Sequence, residues 1–282
     1  MLRIFLLRLK NTDDFKNAGT INELQSAIGF KSSLPMKKDG INYSNIFSPK
    51  YMVRYAPGHM RNLSTSDALF NYNNLYSLNK TSEIENGLSA ILGFDFKTNK
   101  KKEGNEEIQK FSLSLGQVFS LEENDDLPSQ SSLDQKTSDV VGEIGYNFSE
   151  INTISYKFAL DHNLNDLVNN EISTVLGFGG LKFNLDYLEQ NKHRGAEHYV
   201  SSGITLNYND NNKFNFSTKK NFKTDSTEYY DWKYQYELDC LTAGLVYRRE
   251  FYYDDELEPN DTLMFSVSFV PFGTINSPVT NQ

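Results

Sequence analysis

Strict alternation of apolar and polar residues is the feature that most constrains how this chain can fold. Alternation with a period of two places successive side chains on opposite faces of a β-sheet, whereas a helix repeats every 3.6 residues. In the segment ISYKFALD, Ile154, Tyr156 and Phe158 alternate with polar or small residues. The same pattern recurs in the segments LKFNLDY, GITLNY, WKYQYEL and LMFSVSF. The sequence therefore predicts an all-β fold with about eleven strands after residue 83.

The alternation is less regular before residue 83. Two strands are predicted there, at Leu24 to Phe30 and at Lys50 to Ala56. We therefore divide the chain into residues 1–65, a less regular β-strand region, and residues 66–282, the main β segment.

Composition and loop lengths favour a membrane barrel. The chain is 13% aromatic yet polar on average, with a mean hydropathy of -0.57, as expected if one face of each strand meets lipid and the other a polar lumen. Strand windows of about nine to eleven residues match a tilted membrane span. Short turns at Gly179 to Gly180 and Cys240 to Leu241 alternate with long loops at Glu122 to Gln135, Lys223 to Thr227 and Asp254 to Asp261. The pattern predicts an antiparallel transmembrane outer-membrane β-barrel with about 11 to 13 strands.

Charge and residue types exclude several classes of function. A formal charge of -9 gives no basis for a nucleic-acid partner. His193 and His198 lie in a loop-like segment that makes a poor metal site, and the stretch from Asp161 lacks the glycine and glutamate of a calcium loop. No serine or cysteine is paired with a base in a motif for covalent catalysis. We therefore predict that the chain is not an enzyme and has no catalytic residue, cofactor or metal.

Two further features concern export and disulfides. The apolar stretch in the opening MLRIFLLRLK is shorter than a signal-peptide core of roughly 7 to 15 residues, so we expect the chain to lack its own export signal. Cys240 is the one cysteine, which excludes an internal disulfide. Any disulfide must therefore reach another chain or another segment.

Four stretches of the chain resemble one protein family. From Tyr229 onward the chain reads YYDWKYQYELDCLTAGLVYRREFYYDDELEPNDTLMFSVSFVPFG, which resembles the C-terminal end of the lipopolysaccharide-assembly family LptD, also called organic solvent tolerance protein. The stretches Leu69 to Phe96, Ser114 to Leu121 and Ser131 to Phe148 are similar to the same family, in the same order. The resemblance covers most of residues 66–282, which are identified as an LptD-like C-terminal β-barrel segment.

The resemblance implies a function and a set of partners. Members of the family form an outer-membrane barrel of about 26 strands, plugged by a small LptE-like lipoprotein and preceded by a periplasmic jelly-roll. This chain would be the C-terminal half only. It would take lipopolysaccharide from periplasmic bridge proteins and insert it into the outer leaflet, in contact with outer-membrane lipid. Its partners would include the missing N-terminal half and the barrel-assembly machinery, which recognises a C-terminal aromatic signal such as Phe269, Pro271 and Phe272.

The resemblance also assigns roles to particular residues. Cys240 is expected to form a disulfide with the periplasmic N-terminal domain, although an ordinary turn residue is the alternative. The strand from Thr262 to Val270 is expected to form one side of a lateral exit for lipid. The residues assigned to this candidate seam strand are Thr262, Leu263, Phe265, Val267 and Phe269.

Two other functions remain open on the sequence alone. The first is a porin or passive channel of the outer membrane, which would conduct ions by itself. The second is a soluble all-β binding module, which would stay in solution without detergent.

A partial barrel leaves two sheet edges with unpaired backbone groups. We therefore expect the isolated chain to aggregate or to pair with its missing half.

Overall fold

The protein is built from β-strands throughout the part of the chain that the computed structural model describes. These residues are 2–9, 19–58, 60–64, 69–81, 83–102, 106–129, 132–191, 197–251, 260–269, 273–276 and 280–281. Within them, no helix is long and apolar enough to span a membrane. The strands are β1 (Leu2–Leu9), β2 (Gly19–Ser26), β3 (Ile28–Ser33), β4 (Met36–Asp39), β5 (Tyr43–Ala56), β6 (Gly87–Lys101), β7 (Glu107–Ser120), β8 (Val140–Asn147), β9 (Thr153–Leu160), β10 (Leu167–Phe178), β11 (Leu181–Gln190), β12 (His198–Asn207), β13 (Asn212–Asn221), β14 (Ser226–Leu238), β15 (Leu241–Glu250), β16 (Asn260–Phe269), β17 (Gly273–Asn276) and β18 (Thr280–Asn281).

The strands form an antiparallel meander. β1 and β2 make a two-stranded sheet of their own, and the other 16 strands belong to one sheet in which sequence neighbours pair from β5 to β17. β3 and β4 both pair with β5, and β18 pairs with β16. Eleven strands, β6 to β16, lie between residue 83 and the short strand β17. The predicted all-β antiparallel fold is confirmed, and the eleven strands predicted after residue 83 match β6 to β16.

The chain divides into two compact units. The first comprises Met1–Ile144, Lys157–Val168 and Lys192–Arg194, and the second comprises Gly145–Tyr156, Asn169–Asn191 and Gly195–Gln282. The division of the sequence into residues 1–65 and 66–282 stays a prediction.

The structure corrects part of the N-terminal prediction. The single strand predicted at Leu24 to Phe30 is interrupted at Ala27, because β2 pairs with β1 whereas β3 pairs with β5. Ala27 is buried beside Ala56 and Ile84 where the chain changes partner. β1 escaped prediction because its sequence LRIFLLRL does not alternate. The strand predicted at Lys50 to Ala56 is confirmed as the second half of β5.

The turns mostly follow the predicted alternation of lengths. The short turn predicted at Gly179 to Gly180 is confirmed, and the turn predicted at Cys240 to Leu241 lies one residue earlier, at Asp239–Cys240. The long loop predicted at Lys223 to Thr227 is wrong, since β13 and β14 are joined by a four-residue turn, residues 222–225. Asn221 Oδ1 caps this turn by accepting a hydrogen bond from the Lys223 N–H at 2.9 Å. Most of the predicted loop Asp254 to Asp261 lies outside the described residues.

In the first unit, two connecting segments cover one face of the sheet. The segments are residues 57–86, between β5 and β6, and residues 121–139, between β7 and β8, and the Leu63 N–H joins them by donating to the Asp126 carbonyl at 2.7 Å. Along β5, Met52 and Arg54 are buried, whereas the side chains between and beside them are exposed. The sheet and the two segments both contribute to the buried apolar cluster between them, which consists of Met52, Met60, Leu63, Phe70, Leu75, Ile91, Val118, Leu127, Leu133, Val141, Ala159 and Val168.

A pair of glycines makes room for the first segment on the sheet. Gly93 of β6 and Gly116 of β7 are cross-strand partners. A Cβ atom on Gly93 would collide with the Leu115 carbonyl and the Tyr76 hydroxyl, and one on Gly116 would collide with the Leu75 side chain. Leu75 is fully buried at this contact. The glycine pair therefore sets how closely segment 57–86 approaches β6 and β7.

We expect Gly93→Ala to destabilise the first unit by about 1 to 3 kcal/mol, the usual effect of overpacking against backbone. The matched control is Gly244→Ala, whose new Cβ would meet only the Ser266 hydroxyl, at 2.8 Å, which can rotate away. The measurement is the urea dependence of protease resistance of segment 57–86 in the refolded chain. Equal stability of the two variants would show that the glycine pair does not set this contact.

Candidate functional site

Strands β11 to β16 of the second unit carry a continuous apolar surface, which we call the apolar belt. It consists of two rows of cross-strand partners that run across all six strands. The Phe216 and Trp232 rings lie 4.5 Å apart, and the Phe214 and Tyr234 rings lie 4.9 Å apart. The Trp232 residue is 57% exposed, so the belt is not covered by the described part of the chain. The first row is Phe183, Ile204, Phe216, Trp232, Tyr247 and Leu263, and the second is Leu181, Leu206, Phe214, Tyr234, Leu245 and Phe265.

The opposite face of the same strands, which we call the polar face, carries hydrogen-bonding and charged groups. The Asn215 amide donates to the Thr205 hydroxyl at 2.8 Å. Arg248 donates two hydrogen bonds to the Asp231 carboxylate, both at 2.6 Å. On β15 and β16 the row of Lys233 ends in the apolar residues Val246 and Met264. The polar and charged residues of the polar face include Lys182, Asp186, Ser201, Thr205, Lys213, Asn215, Lys219, Asp231, Lys233, Gln235 and Arg248.

The two faces suit two different environments. Strands that contact lipid must pair their backbone groups with neighbouring strands, because hydrocarbon offers no hydrogen bonds. β11 to β15 are paired along both edges. An apolar face on one side and a lysine-rich face on the other can therefore separate lipid from a polar compartment.

The candidate seam residues all lie on β16. This strand forms ten residue pairs with β15, from Leu241↔Phe269 to Glu250↔Asn260. Its other edge forms four pairs with β17 and two with β18. Leu263 and Phe265 belong to the apolar belt, whereas Thr262 pairs with both Arg248 and Asn281. The residues so placed are Thr262, Leu263, Phe265, Val267 and Phe269.

The candidate disulfide residue is accessible. Cys240 is an exposed free cysteine, in the two-residue turn that joins β14 to β15. Of the expected C-terminal aromatic signal, Phe269 is exposed at the end of β16, and Pro271 and Phe272 lie outside the described residues.

The histidines are arranged differently from the pair considered on the sequence. His193 lies outside the described residues, and His198 of β12 is 3.1 Å from the Tyr187 hydroxyl. Sequence analysis missed a different cluster, in which ligand atoms of Asp139, Asp161 and His162 lie within 4.8 Å of one another. No spacing motif could reveal it, because Asp139 comes from another connecting segment. Three ligand atoms are fewer than the six to eight oxygens of a typical calcium site.

The same cluster contains a serine but lacks the geometry of a catalytic triad. The buried Ser132 hydroxyl donates to the Asp139 carboxylate at 2.6 Å, so its proton is directed at a carboxylate. Ser132 and Asp161 both approach Nδ1 of His162, at 3.2 and 3.4 Å. A triad needs the serine and the carboxylate at different nitrogens of the imidazole.

Beneath segment 57–86 of the first unit lies a buried charged network. Arg54 donates from Nε to the Leu78 carbonyl at 2.6 Å and from Nη2 to the Glu85 carbonyl at 2.5 Å. The Glu85 carboxylate lies 3.2 Å from Arg54 Nη2 and accepts the backbone N–H groups of Lys80 and Thr81. The network therefore attaches the segment to β5 through both charge and backbone contacts.

Lys80 in this network makes stability depend on pH. Burial lowers the pKa of Lys80 to about 8 from an ordinary value of 10.5, against the opposing attraction of Glu85. Because the folded-state pKa is the lower one, folding is penalised fully below pH 8 and the penalty disappears as pH rises toward 10.5. We expect the free energy of unfolding of the first unit to rise over this interval by at most roughly 3 kcal/mol.

The measurement is urea unfolding of the refolded chain at several pH values from about 7 to about 10. Lys80→Met is the control, and it should remove most of the rise because the titrating group is gone. A rise of the same size in this variant would assign the pH dependence to other groups.

Comparison with known proteins gives one family. A family model described as LptD, LPS transport system D, matches residues 7–209, more than half of the 282 residues. None of the curated proteins matches the chain.

Solved structures give weaker similarities. A triple mutant of the Rhodopseudomonas blastica porin is 9% identical with a TM-score of 0.42, covering 100% of this chain and 96% of that one. A second mutant of that porin is 9% identical with a TM-score of 0.41, covering 100% and 96%. A structure titled "Asymmetric conductivity of engineered proteins" is 10% identical with a TM-score of 0.39, covering 98% and 89%. TM-scores this low support no conclusion about the chain.

Proposed function

The chain belongs to the LptD family of the lipopolysaccharide transport system, and on this premise we propose that it inserts lipopolysaccharide into the outer leaflet of the outer membrane as part of a translocon barrel. Membership of the family confirms the resemblance found in the sequence and implies lipopolysaccharide as the substrate. The observation that carries the proposal is the separation of an apolar belt on β11 to β16 from a polar face that is lysine-rich on β11 to β14.

The two faces suggest how lipid and sugar are handled. The apolar belt contacts membrane lipid, and the polar face borders the path of the substrate. Lys182, Lys213 and Lys233 on the polar face offer ammonium groups to anionic saccharide. The chain moves its substrate without breaking bonds, so we propose no catalytic residue.

The proposed exit is the outer edge of β16. Among the described residues, that edge has fewer backbone pairs than the edge toward β15, with six residue pairs to β17 and β18 together against ten. Fewer ladder hydrogen bonds make it the easier edge to open. Lipid would leave past the Leu263 and Phe265 side chains, which continue the apolar belt.

The remaining partners are proposed from the family. They are an LptE-like plug lipoprotein, periplasmic bridge proteins, an N-terminal barrel half and the barrel-assembly machinery. We propose that the turn holding Cys240 faces the periplasm, where its exposed thiol forms a disulfide with a periplasmic segment. Electrophoresis of cell envelopes without reductant, with Cys240→Ser as the control, would show this bridge as a band that only the parent chain forms.

Photo-crosslinking in growing cells tests the transport function. A photoreactive amino acid replaces Lys233 on the polar face or, as the matched control, the adjacent Trp232 on the apolar belt. We expect a lipopolysaccharide adduct at position 233 that disappears within minutes when lipopolysaccharide synthesis is inhibited. Any adduct at position 232 should persist, because it would come from lipid already in the membrane.

Two results would contradict the proposal. The first is no synthesis-dependent adduct at position 233 or at its polar-face neighbours Lys182 and Lys213. The second is steady conductance of the purified chain in a planar bilayer, which would favour a passive channel.

A further inference from the structure

The first unit contains a cavity of about 340 Å³ at the network of Arg54 and Glu85. Its walls come from β5, β6 and β7 and from the two connecting segments. The volume lies within the range of about 300 to 1,000 Å³ that ligand pockets usually have. The polar lining residues are Arg54, Lys80, Glu85, Asn86, Ser89, Ser120, Glu122, Glu123 and Asn124.

Two polar groups in the wall of the cavity lack a hydrogen-bond partner among the described residues. Lys80 is 6% exposed, and its ammonium makes no hydrogen bond or ion pair with any described residue. The Ser89 hydroxyl is buried and has no hydrogen-bond partner among the described residues. A buried ammonium without a partner is unfavourable, and the lowered pKa of Lys80 reflects this. A ligand oxygen in the cavity would satisfy both groups.

The charges of the wall restrict the ligand. Arg54 and Lys80 are cationic, whereas Glu85, Glu122 and Glu123 are anionic. With a neutral ligand, the one carboxylate near Lys80 would be that of Glu85, which Arg54 shares. A compact anion alone would not reach the carboxylates of Glu122 and Glu123, which line the cavity at its exposed side. Hydroxyl groups donate to carboxylates and to amide oxygens such as Asn124 Oδ1, and they accept from amide N–H groups such as that of Asn86. The combination fits a hydroxylated ring that carries one acidic group.

We propose that this cavity binds a saccharide that bears one carboxylate or phosphate, with the acidic group at Lys80 and Ser89 and the ring hydroxyls toward Glu122, Glu123 and Asn124. The proposal deepens the proposed transport function, on which it rests for one source of the ligand, the sugar headgroup of a transported lipid. The other source of the same chemistry is a free acidic sugar.

Equilibrium dialysis with radiolabelled glucuronate tests the site on the full chain, refolded in detergent micelles. We expect saturable binding that unlabelled glucuronate displaces far better than either glucose or acetate. Equal displacement by glucose would show that the acidic group is not recognised, and equal displacement by acetate would show that the ring is not. Either result, or no saturable binding, overturns the proposal.

Variants connect the binding to the cavity. Lys80→Met is expected to raise the Kd for glucuronate about tenfold or more and Ser89→Ala severalfold, in keeping with the loss of a charged or a neutral hydrogen bond. Lys38→Met is the matched control, since Lys38 is an exposed lysine of β4. Unchanged affinity in a Lys80→Met chain with at least the parental urea stability would place the binding elsewhere. If Lys80→Met fails to refold, Ser89→Ala decides, and an unchanged Kd in that variant overturns the proposal.

Competition identifies the source of the ligand. Lipopolysaccharide micelles that displace glucuronate from the parent chain would assign the site to a lipid headgroup, whereas failure to compete would assign it to a free acidic sugar. The dialysis result does not depend on transport. Loss of glucuronate binding together with intact crosslinking at position 233 would therefore reject this site and leave the transport function in place.

Discussion

Phe216→Arg is expected to make folding of the chain into phospholipid vesicles less favourable by about 2 to 4 kcal/mol, the range measured for arginine on the lipid face of outer-membrane barrels. Phe216 lies midway along β13, between its cross-strand partners Ile204 and Trp232. A guanidinium there would replace an aromatic ring at the centre of the apolar belt. Urea titration in vesicles measures the change, and the fluorescence of Trp232, the one tryptophan of the chain, reports folding because its ring lies on the apolar belt.

Asn215→Arg is the matched control for this substitution. Asn215 is the preceding residue of β13 and lies on the polar face, where its partners are Thr205 and Lys233. An arginine on the polar face stays hydrated, so we expect a change below about 1 kcal/mol. Equal effects of the two substitutions would contradict a lipid-facing belt. A chain that stays folded and monomeric in buffer without detergent would contradict it more directly.

The strands and their two faces could be predicted because both follow from a local pattern. Whether a residue of β14 points to the apolar belt or to the polar face depends on its parity along the strand. Trp232 and Tyr234 share one face, and Lys233 lies on the other. The cross-strand rows then follow once two-residue turns such as Asp239–Cys240 set the register.

The first unit could not be predicted in the same way, because its defining contacts join residues far apart in the chain. Arg54 occurs in the segment MVRYA, where alternation only places it on the face opposite Val53 and Tyr55. Its burial depends on Leu78 and Glu85, which belong to a segment without regular alternation. The cavity beside Lys80 needs residues from three strands and two connecting segments, so no single window of sequence reveals it.

Some site residues were assigned by family resemblance alone. In the structure Cys240 lies at an exposed turn. The seam residues of β16 lie on a strand whose outer edge is partly paired among the described residues. Neither position reveals a role by its own geometry, since exposed turn cysteines and edge strands are common. Their functions stay predictions until the disulfide and the lateral opening are measured.

Glu85→Gln is expected to lower the free energy of unfolding of the first unit by about 3 to 5 kcal/mol, the usual consequence of removing one partner from a buried ion pair. Glutamine keeps the shape and an acceptor for the N–H groups of Lys80 and Thr81. The variant therefore removes mainly the negative charge between two buried cations, Arg54 and Lys80. Segment 57–86 should become sensitive to thermolysin at lower urea concentrations than in the parent chain.

Glu250→Gln is the matched control for Glu85→Gln, because Glu250 lies 3.5 Å from Arg248 and both side chains are at least 40% exposed. An exposed pair of this kind contributes about 0 to 1 kcal/mol. Adding Lys80→Met to Glu85→Gln should recover part of the lost stability, since one of the two uncompensated cations is then absent. Two results would contradict this role of the charged network: an effect of Glu85→Gln no larger than that of Glu250→Gln, or no recovery by Lys80→Met. The segment would then be held on the sheet by apolar contacts, such as that of Leu75 with Gly116 of β7.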